Sequence, residues 1–218
     1  MGLITLTDPR SPISEAYRTM RTNLSFSSLD RPLRTLVVTS AAPEEGKSET
    51  VANLAVTMAQ GGRKTILVDC DLRRPSLHKL FNLASEPGLT DLVLEEDGQP
   101  ALQSTEVEGL QLLASGPLPP NPADMLGSQR LDQIIADLTE KAEVVLFDAP
   151  PVTAVTDATV LGSKVDGVLL VISAGKTRRD HAERAKELLE KANVRIIGAA
   201  LTNAPRDAGI GGYYGSES

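Results

Sequence analysis

The 218-residue chain has no tryptophan, three phenylalanines and three tyrosines, so it offers few rings on which nucleic-acid bases can stack. Its single cysteine, Cys70, excludes an internal disulfide framework. Two histidines beside one cysteine argue against the usual zinc clusters, and any metal is expected among oxygens instead. No apolar run approaches the roughly 18 residues of a spanning helix. Met1 to Arg10 also lacks the basic start and apolar centre of a signal peptide. These absences lead to the expectation of a soluble, cytoplasmic protein. Positive charge is in deficit too: 22 Lys and Arg against 29 Asp and Glu leave a net charge of −7, which argues against nucleic acid as the main partner.

What is present is ordinary globular composition, 41% hydrophobic and 23% charged, in a length suited to one compact domain. No internal repeat or long low-complexity linker interrupts it. Five short apolar runs, 35–39, 65–68, 144–147, 168–172 and 196–201, are continuous rather than alternating, as expected for strands covered on both faces of a parallel sheet. Helical periodicity lies between them. Val51, Leu54, Ala55, Met58 and Ala59 share one face of a segment from about Lys47 to Gln60, stopped by Gly61 and Gly62. Ala182, Ala185, Leu188, Leu189 and Ala192 do the same over about Arg179 to Ala192. The order β-α-β, then a less regular middle rich in proline, then β-α-β-α-β, predicts a three-layer α/β fold with a mostly parallel sheet. Residues 1–34 carry five arginines and a predicted helix from about Ser14 to Asn23, and are expected to stand apart from this core as an interaction arm. The Gly- and Ser-rich end, 209–218, reads as a flexible tail.

Directly after the first strand comes Ala41-Ala42-Pro43-Glu44-Glu45-Gly46-Lys47-Ser48, and a helix begins at its end. This is most of a P-loop, in which backbone N–H groups curl around phosphate oxygens at a helix N-terminus. Gly46 suits the tight loop, Lys47 the β- and γ-phosphates and Ser48 a Mg²⁺ ion. Asp69 and Asp71 end the second strand and Asp148 ends the strand at 144–147, so all three carboxylates are expected at the C-terminal sheet edge beside the loop. A P-loop NTPase fold binding ATP and Mg²⁺ is the expectation.

Together, Glu15-x-x-Arg18-x-x-Arg21, Pro43-x-Glu45-Gly46-Lys47-Ser48, Leu67-Val68-Asp69-Cys70-Asp71-Leu72-Arg73-Arg74-Pro75, and Leu146-Phe147-Asp148-Ala149-Pro150-Pro151 with Thr156-Asp157-Ala158 resemble the bacterial tyrosine kinases of capsule and exopolysaccharide synthesis. The resemblance covers nearly the whole chain. It implies a single kinase domain over 1–208, autophosphorylation of Tyr213 and Tyr214 in the tail, and a membrane adaptor that recruits the chain to the inner membrane face and activates it. It further implies that Lys47 binds phosphates, that Ser48 and Asp148 hold Mg²⁺ with Asp71 supporting its water shell, and that Asp69 accepts the tyrosine proton. Glu15, Arg18 and Arg21 would form the ridge through which subunits assemble into a ring. Asn203 and Arg206 fall where the wider ATPase superfamily contacts the base, although Asn203 equally suits a strand-to-loop turn for backbone reasons.

Two positions depart from the family pattern. Glu44 stands where Gly or Ser is expected and Glu49 where Ser or Thr is expected, and two carboxylates beside a triphosphate would repel it. Replacing both, Glu44→Gly with Glu49→Thr, is expected to tighten Mg·ATP binding about tenfold and to destabilise the empty protein. One rival is a ParA- or MinD-like partner-switching ATPase, whose second loop lysine is replaced here by Ala41 or Ala42. Another is a kinase-fold adaptor with impaired ATP use. Cys70 is expected to pack, His78 to lie at the surface or between helices, and His181 to lie on a charged helix.

Overall fold

The computed structural model describes residues 2–27, 32–95 and 98–205. In sequence order the strands are β1 (Thr35–Ser40), β2 (Thr65–Asp69), β3 (Gln103–Ser104), β4 (Leu110–Leu113), β5 (Val144–Asp148), β6 (Gly167–Ser173) and β7 (Ile196–Thr202). The helices are α1 (Ile4–Thr7), α2 (Pro12–Phe26), α3 (Lys47–Gln60), α4 (Leu77–Leu80), α5 (Leu89–Leu94), α6 (Pro122–Gly127), α7 (Gln129–Lys141), α8 (Asp157–Gly162) and α9 (Arg179–Lys191). The described strands form one sheet in the order β3-β4-β2-β5-β1-β6-β7. All pairings are parallel except β3 with β4.

The expected three-layer architecture is what the protein adopts. Successive residues of β1 bury on opposite faces: Leu36 and Val38 join a cluster with Val51, Leu54 and Ala55 of α3, whereas Val37 joins one with Leu131, Ile134 and Leu138 of α7. Covering on both sides is why these strands read as unbroken apolar runs. The expected strands match to within a residue or two at each end, and α3 spans the expected residues.

Two expectations are corrected. The irregular middle contains β4, paired in parallel with β2, and the 13-residue α7 capped by Ser128, whose hydroxyl accepts the Leu131 N–H. Residues 2–27 do not stand apart from the core. Leu3 and Leu24 are buried with α3, and Thr5 Oγ1 donates to Asn53 Oδ1 at 2.8 Å. Helix α2 begins earlier than expected because Ser11 caps it, with Pro12 in its first turn.

Candidate active site

The phosphate loop joins β1 to α3, and the segments that follow β5, β6 and β7 hold it from outside. The Thr153 hydroxyl, after β5, donates to the Ala41 carbonyl. The Thr202 hydroxyl, at the end of β7, donates to the Glu45 carbonyl at 2.8 Å. Glu45 itself is buried: Oε2 accepts the Ala42 N–H at 3.0 Å, and Oε1 accepts the Thr177 hydroxyl from the β6–α9 loop. Gly46 closes the loop at φ 84°, a left-handed conformation that disfavours any side chain.

Lys47 opens α3 and points into a cluster of carboxylates. Its Nζ lies 2.8 Å from Asp71 Oδ2, 3.0 Å from Asp148 Oδ1 and 3.1 Å from Ser48 Oγ. Ser48 Oγ donates to Asp148 Oδ2 at 2.5 Å. Burial alone would lower the Lys47 pKa, but the fields of Asp148 and Asp71 and their hydrogen bonds outweigh it and raise the pKa. The ammonium is therefore held charged. Asp148 is fully buried, and loss of solvent pushes its carboxyl upward against the opposing pull of Lys47 and Ser48.

Asp69 sits beside Asp148 in the β2–β5 register but is bonded differently. Its Oδ2 accepts the Ser76 and Leu77 N–H groups, each at 3.0 Å, and Oδ1 accepts the Asp71 N–H at 3.3 Å. Burial, then the field of Asp148, pushes its pKa up to about 7. The structure thus gathers Lys47, Ser48, Asp71 and Asp148 into one bonded cluster, with Asp69 behind it.

The remaining expected residues divide. Asn203 occupies a left-handed turn at φ 54° and donates from Nδ2 to Ser173 Oγ at 2.9 Å, so its amide is engaged internally. Arg206, Tyr213 and Tyr214 lie outside the described residues. Arg18 pairs with Glu15 and donates to the Pro9 carbonyl at 2.7 Å, while Arg21 donates to the Thr57 carbonyl of α3 at 2.7 Å. The charged ridge is thus bonded within its own subunit. Cys70 is buried, with its thiol pushed well up by burial and by the neighbouring Asp69, Asp148 and Asp71. His78 is part-buried, and His181 is exposed on α9.

Glu44 corrects an expectation. Its carboxylate is 85% exposed and lies 3.4 Å from Lys176 Nζ, facing solvent and the β6–α9 loop. The same ammonium donates to the Glu44 carbonyl at 2.8 Å. Its backbone is left-handed at φ 58°, which explains physically why Gly suits this position. Glu49 is exposed in the first turn of α3 and near enough to Tyr17 of α2 to act on its hydroxyl.

Sequence reasoning missed the contacts that brace the site. Arg73 grips the buried Asp157 with two hydrogen bonds, 2.9 and 3.0 Å, tying the turn after β2 to the start of α8. Both residues stand within recognisable motifs, but pairing over 84 positions has no local signal. The clasp of Thr177 on Glu45 is invisible for the same reason.

Chemically, the cluster is a helix N-terminus with one cation and hard oxygens only. Ser48 Oγ, Asp148 and Asp71 suit Mg²⁺, which is usually held by one or two carboxylates together with phosphate and water oxygens. Among the described residues no group of three or more His, Cys, Asp or Glu forms a protein-only cage for a metal.

This loop, sheet order and carboxylate placement define a P-loop NTPase of the ParA type. The family model described as "ParA: NUBPL iron-transfer P-loop NTPase" matches residues 33–203. Within that class the similarity narrows. The tyrosine-protein kinase YwqD of Bacillus subtilis is 42% identical over 218 residues, 99% of this chain and 92% of the relative. The putative tyrosine-protein kinase CapB of Staphylococcus aureus is 37% identical over 94% of this chain and 91% of the relative. The crystal structure of the chimerical protein CapA2B2 superposes with a TM-score of 0.89 at 38% identity, covering 94% of this chain and 90% of that one. The chain belongs to the bacterial tyrosine-kinase family. The ParA- or MinD-like rival shares the fold, but relatives at this level of identity carry the tyrosine-kinase name.

Proposed function

We propose that the protein is an ATP-dependent protein-tyrosine kinase that phosphorylates its own Tyr213 and Tyr214 and acts in capsule or exopolysaccharide synthesis or export. The observation that carries this reading is the Lys47–Ser48–Asp71–Asp148 cluster at the start of α3, in a protein whose relatives are named tyrosine kinases. Backbone N–H groups of the loop and Lys47 bind the β- and γ-phosphates, and Lys47 follows the charge as it moves between them. Ser48 and Asp148 would hold Mg²⁺, with Asp71 supporting its water shell. The ion, when bound, neutralises phosphate charge and fixes the γ-phosphoryl group in line.

The tyrosine oxygen forms its bond to the γ-phosphorus as the bond to the ADP oxygen breaks. The hydroxyl proton passes to a carboxylate. Both oxygens of Asp69 accept backbone N–H groups and the residue is wholly buried, whereas Asp71 gives Oδ1 to the Arg74 N–H but Oδ2 only to Lys47, which a nucleotide would draw away, so we favour Asp71 as acceptor and Asp69 as the residue that shapes the turn. Lys47 is held by Asp71 and Asp148. Nucleotide binding must draw it away, which frees both carboxylates.

Among the described residues no helix is long and apolar enough to cross a membrane. Recruitment to the membrane by a separate adaptor belongs to the same proposal, as does assembly into a ring, with Glu15, Arg18 and Arg21 exchanging their internal partners for a neighbour's. Arg18→Ala with Arg21→Ala should lower the sedimentation mass if that exchange occurs. Incubation with Mg·ATP and mass spectrometry of the tail tests the enzyme: phosphate on Tyr213 or Tyr214 supports a kinase. ATP hydrolysis without phosphotyrosine would favour the partner-switching ATPase, and no ATP binding the adaptor.

A further inference from the structure

A groove of about 550 Å³ runs between the turn after β2 and the turn after β4, and none of Lys47, Ser48, Asp71 and Asp148 lines it. Arg74, His78, Lys79, Glu86, Pro117 and Leu118 are among its lining residues. The Arg74 backbone N–H donates to Asp71 Oδ1 at 3.0 Å, so the groove starts at the rim of the active-site cluster.

Three basic residues, Arg74, His78 and Lys79, meet in this groove. On α9, by contrast, three cations are paired along the helix: Arg179 with Glu183, Lys186 with Glu190 and Lys191 with Glu187. Among the described residues the Arg74 guanidinium and the Lys79 ammonium have no hydrogen-bond or carboxylate partner. His78 Nδ1 is buried without one. A buried polar atom left unpaired costs about 1–3 kcal/mol, so a concavity that collects such groups suits an anionic ligand. Glu86 is the one acid among its lining residues.

We propose that this groove is an acceptor-peptide subsite that takes an acidic residue on the C-terminal side of the target tyrosine, and that its occupant is the segment 206–218 of this protein, with Glu217 as the anion. The inference rests on the kinase reading and adds to it a rule of substrate choice. Charge complementarity supports it, as does reach. Glu217 lies three residues beyond Tyr214, about 10 Å when extended. Thirteen residues follow Pro205, up to about 45 Å extended. Four inter-strand steps of about 4.8 Å, roughly 19 Å in all, are an upper measure of the separation of β7 from β2 along the same sheet edge. Leu118 is 63% exposed and with Pro117 gives an apolar wall for the second ring of the tyrosine pair.

Labelled peptides covering 206–218, with Glu217 or the Glu217→Gln change, are titrated by fluorescence anisotropy against the full-length protein and its Arg74→Ala/Lys79→Ala variant. Phosphorylation of the same peptides is followed in parallel. The wild type should bind the Glu peptide about fivefold more tightly than the Gln peptide, and the variant should lose that preference. The preference in kcat/KM should appear in KM. A Glu217→Lys peptide should in turn be preferred by an Arg74→Glu/Lys79→Glu variant. The same Glu-to-Gln ratio in wild type and variant, or no preference in wild type, overturns the subsite. Charge-selective binding without any phosphorylation would leave the subsite standing and sink the kinase reading. Phosphorylation without selectivity would do the reverse.

Discussion

The phosphate-loop cluster and the basic groove lie side by side at the end of β2, and they handle charge in opposite ways. In the cluster each ionised group is satisfied from within: Lys47 spans Asp71 and Asp148, and Ser48 closes onto Asp148. In the groove, the described residues leave Arg74 and Lys79 to solvent and His78 Nδ1 unbonded. For Arg74 and Lys79 the difference follows from burial. Charges taken out of water must be paired at folding, whereas exposed ones can wait for a ligand. The first site is therefore closed on itself through Lys47, and the second is open to solvent.

The largest effect separating the two regions should come from Asp148→Asn. It removes the carboxylate that orients both Lys47 and Ser48, so phosphoryl transfer should fall at least about 100-fold. Stability should hold or rise, because a fully buried charge is lost while Lys47 keeps Asp71. Kinetics and urea unfolding of the same preparation check both halves. A variant that kept near-normal activity would dissolve the distinction between the regions.

Acidity gives the next largest effect. The Asp69 pKa is raised from 3.8 to about 7 in the folded, ligand-free protein, so the native state keeps a proton that the unfolded state has released. The resulting stability is full below the unfolded value of 3.8 and is lost as pH rises through about 7. The steepest slope should be about 1.4 kcal/mol per pH unit. Asp69→Asn should flatten the curve of denaturant stability against pH.

Arg73→Ala sharpens the boundary between the regions, since it strands the buried Asp157 carboxylate at the start of α8. Because Arg73 is 41% exposed, the expected loss is about 1–2 kcal/mol in denaturant unfolding. Glu44→Gly should have the smallest effect. It relieves a left-handed glutamate and removes a solvent-exposed ion pair, so stability should rise by about 1 kcal/mol. Mg·ATP affinity, read by titration calorimetry, should change less than about threefold. That outcome would remove Glu44 from the repulsion expected of Glu44 and Glu49 together.

Legibility from sequence follows the same division. The residues of the cluster are read from motifs because strand, loop and helix are contiguous there, and α3 begins at the lysine that the motif supplies. The amphipathic spacing of Leu131, Ile134, Ile135 and Leu138 is equally present in the sequence, but the proline-rich surroundings mask α7. Strand β4 is four residues long and lacks β-branched residues, so only its pairing with β2 reveals it. The brace of Glu45 by Thr177 and the bonding of Asp69 to the start of α4 depend on packing between distant segments. Local pattern cannot encode them.

The most direct measurement compares phosphotyrosine on the 206–218 segment in wild type and Lys47→Met, by mass spectrometry after incubation with Mg·ATP. Circular dichroism confirms that both are folded. The account predicts phosphate on Tyr213 or Tyr214 in the wild type and a loss of at least about 100-fold in the variant. Equal phosphorylation in a folded Lys47→Met protein would contradict it.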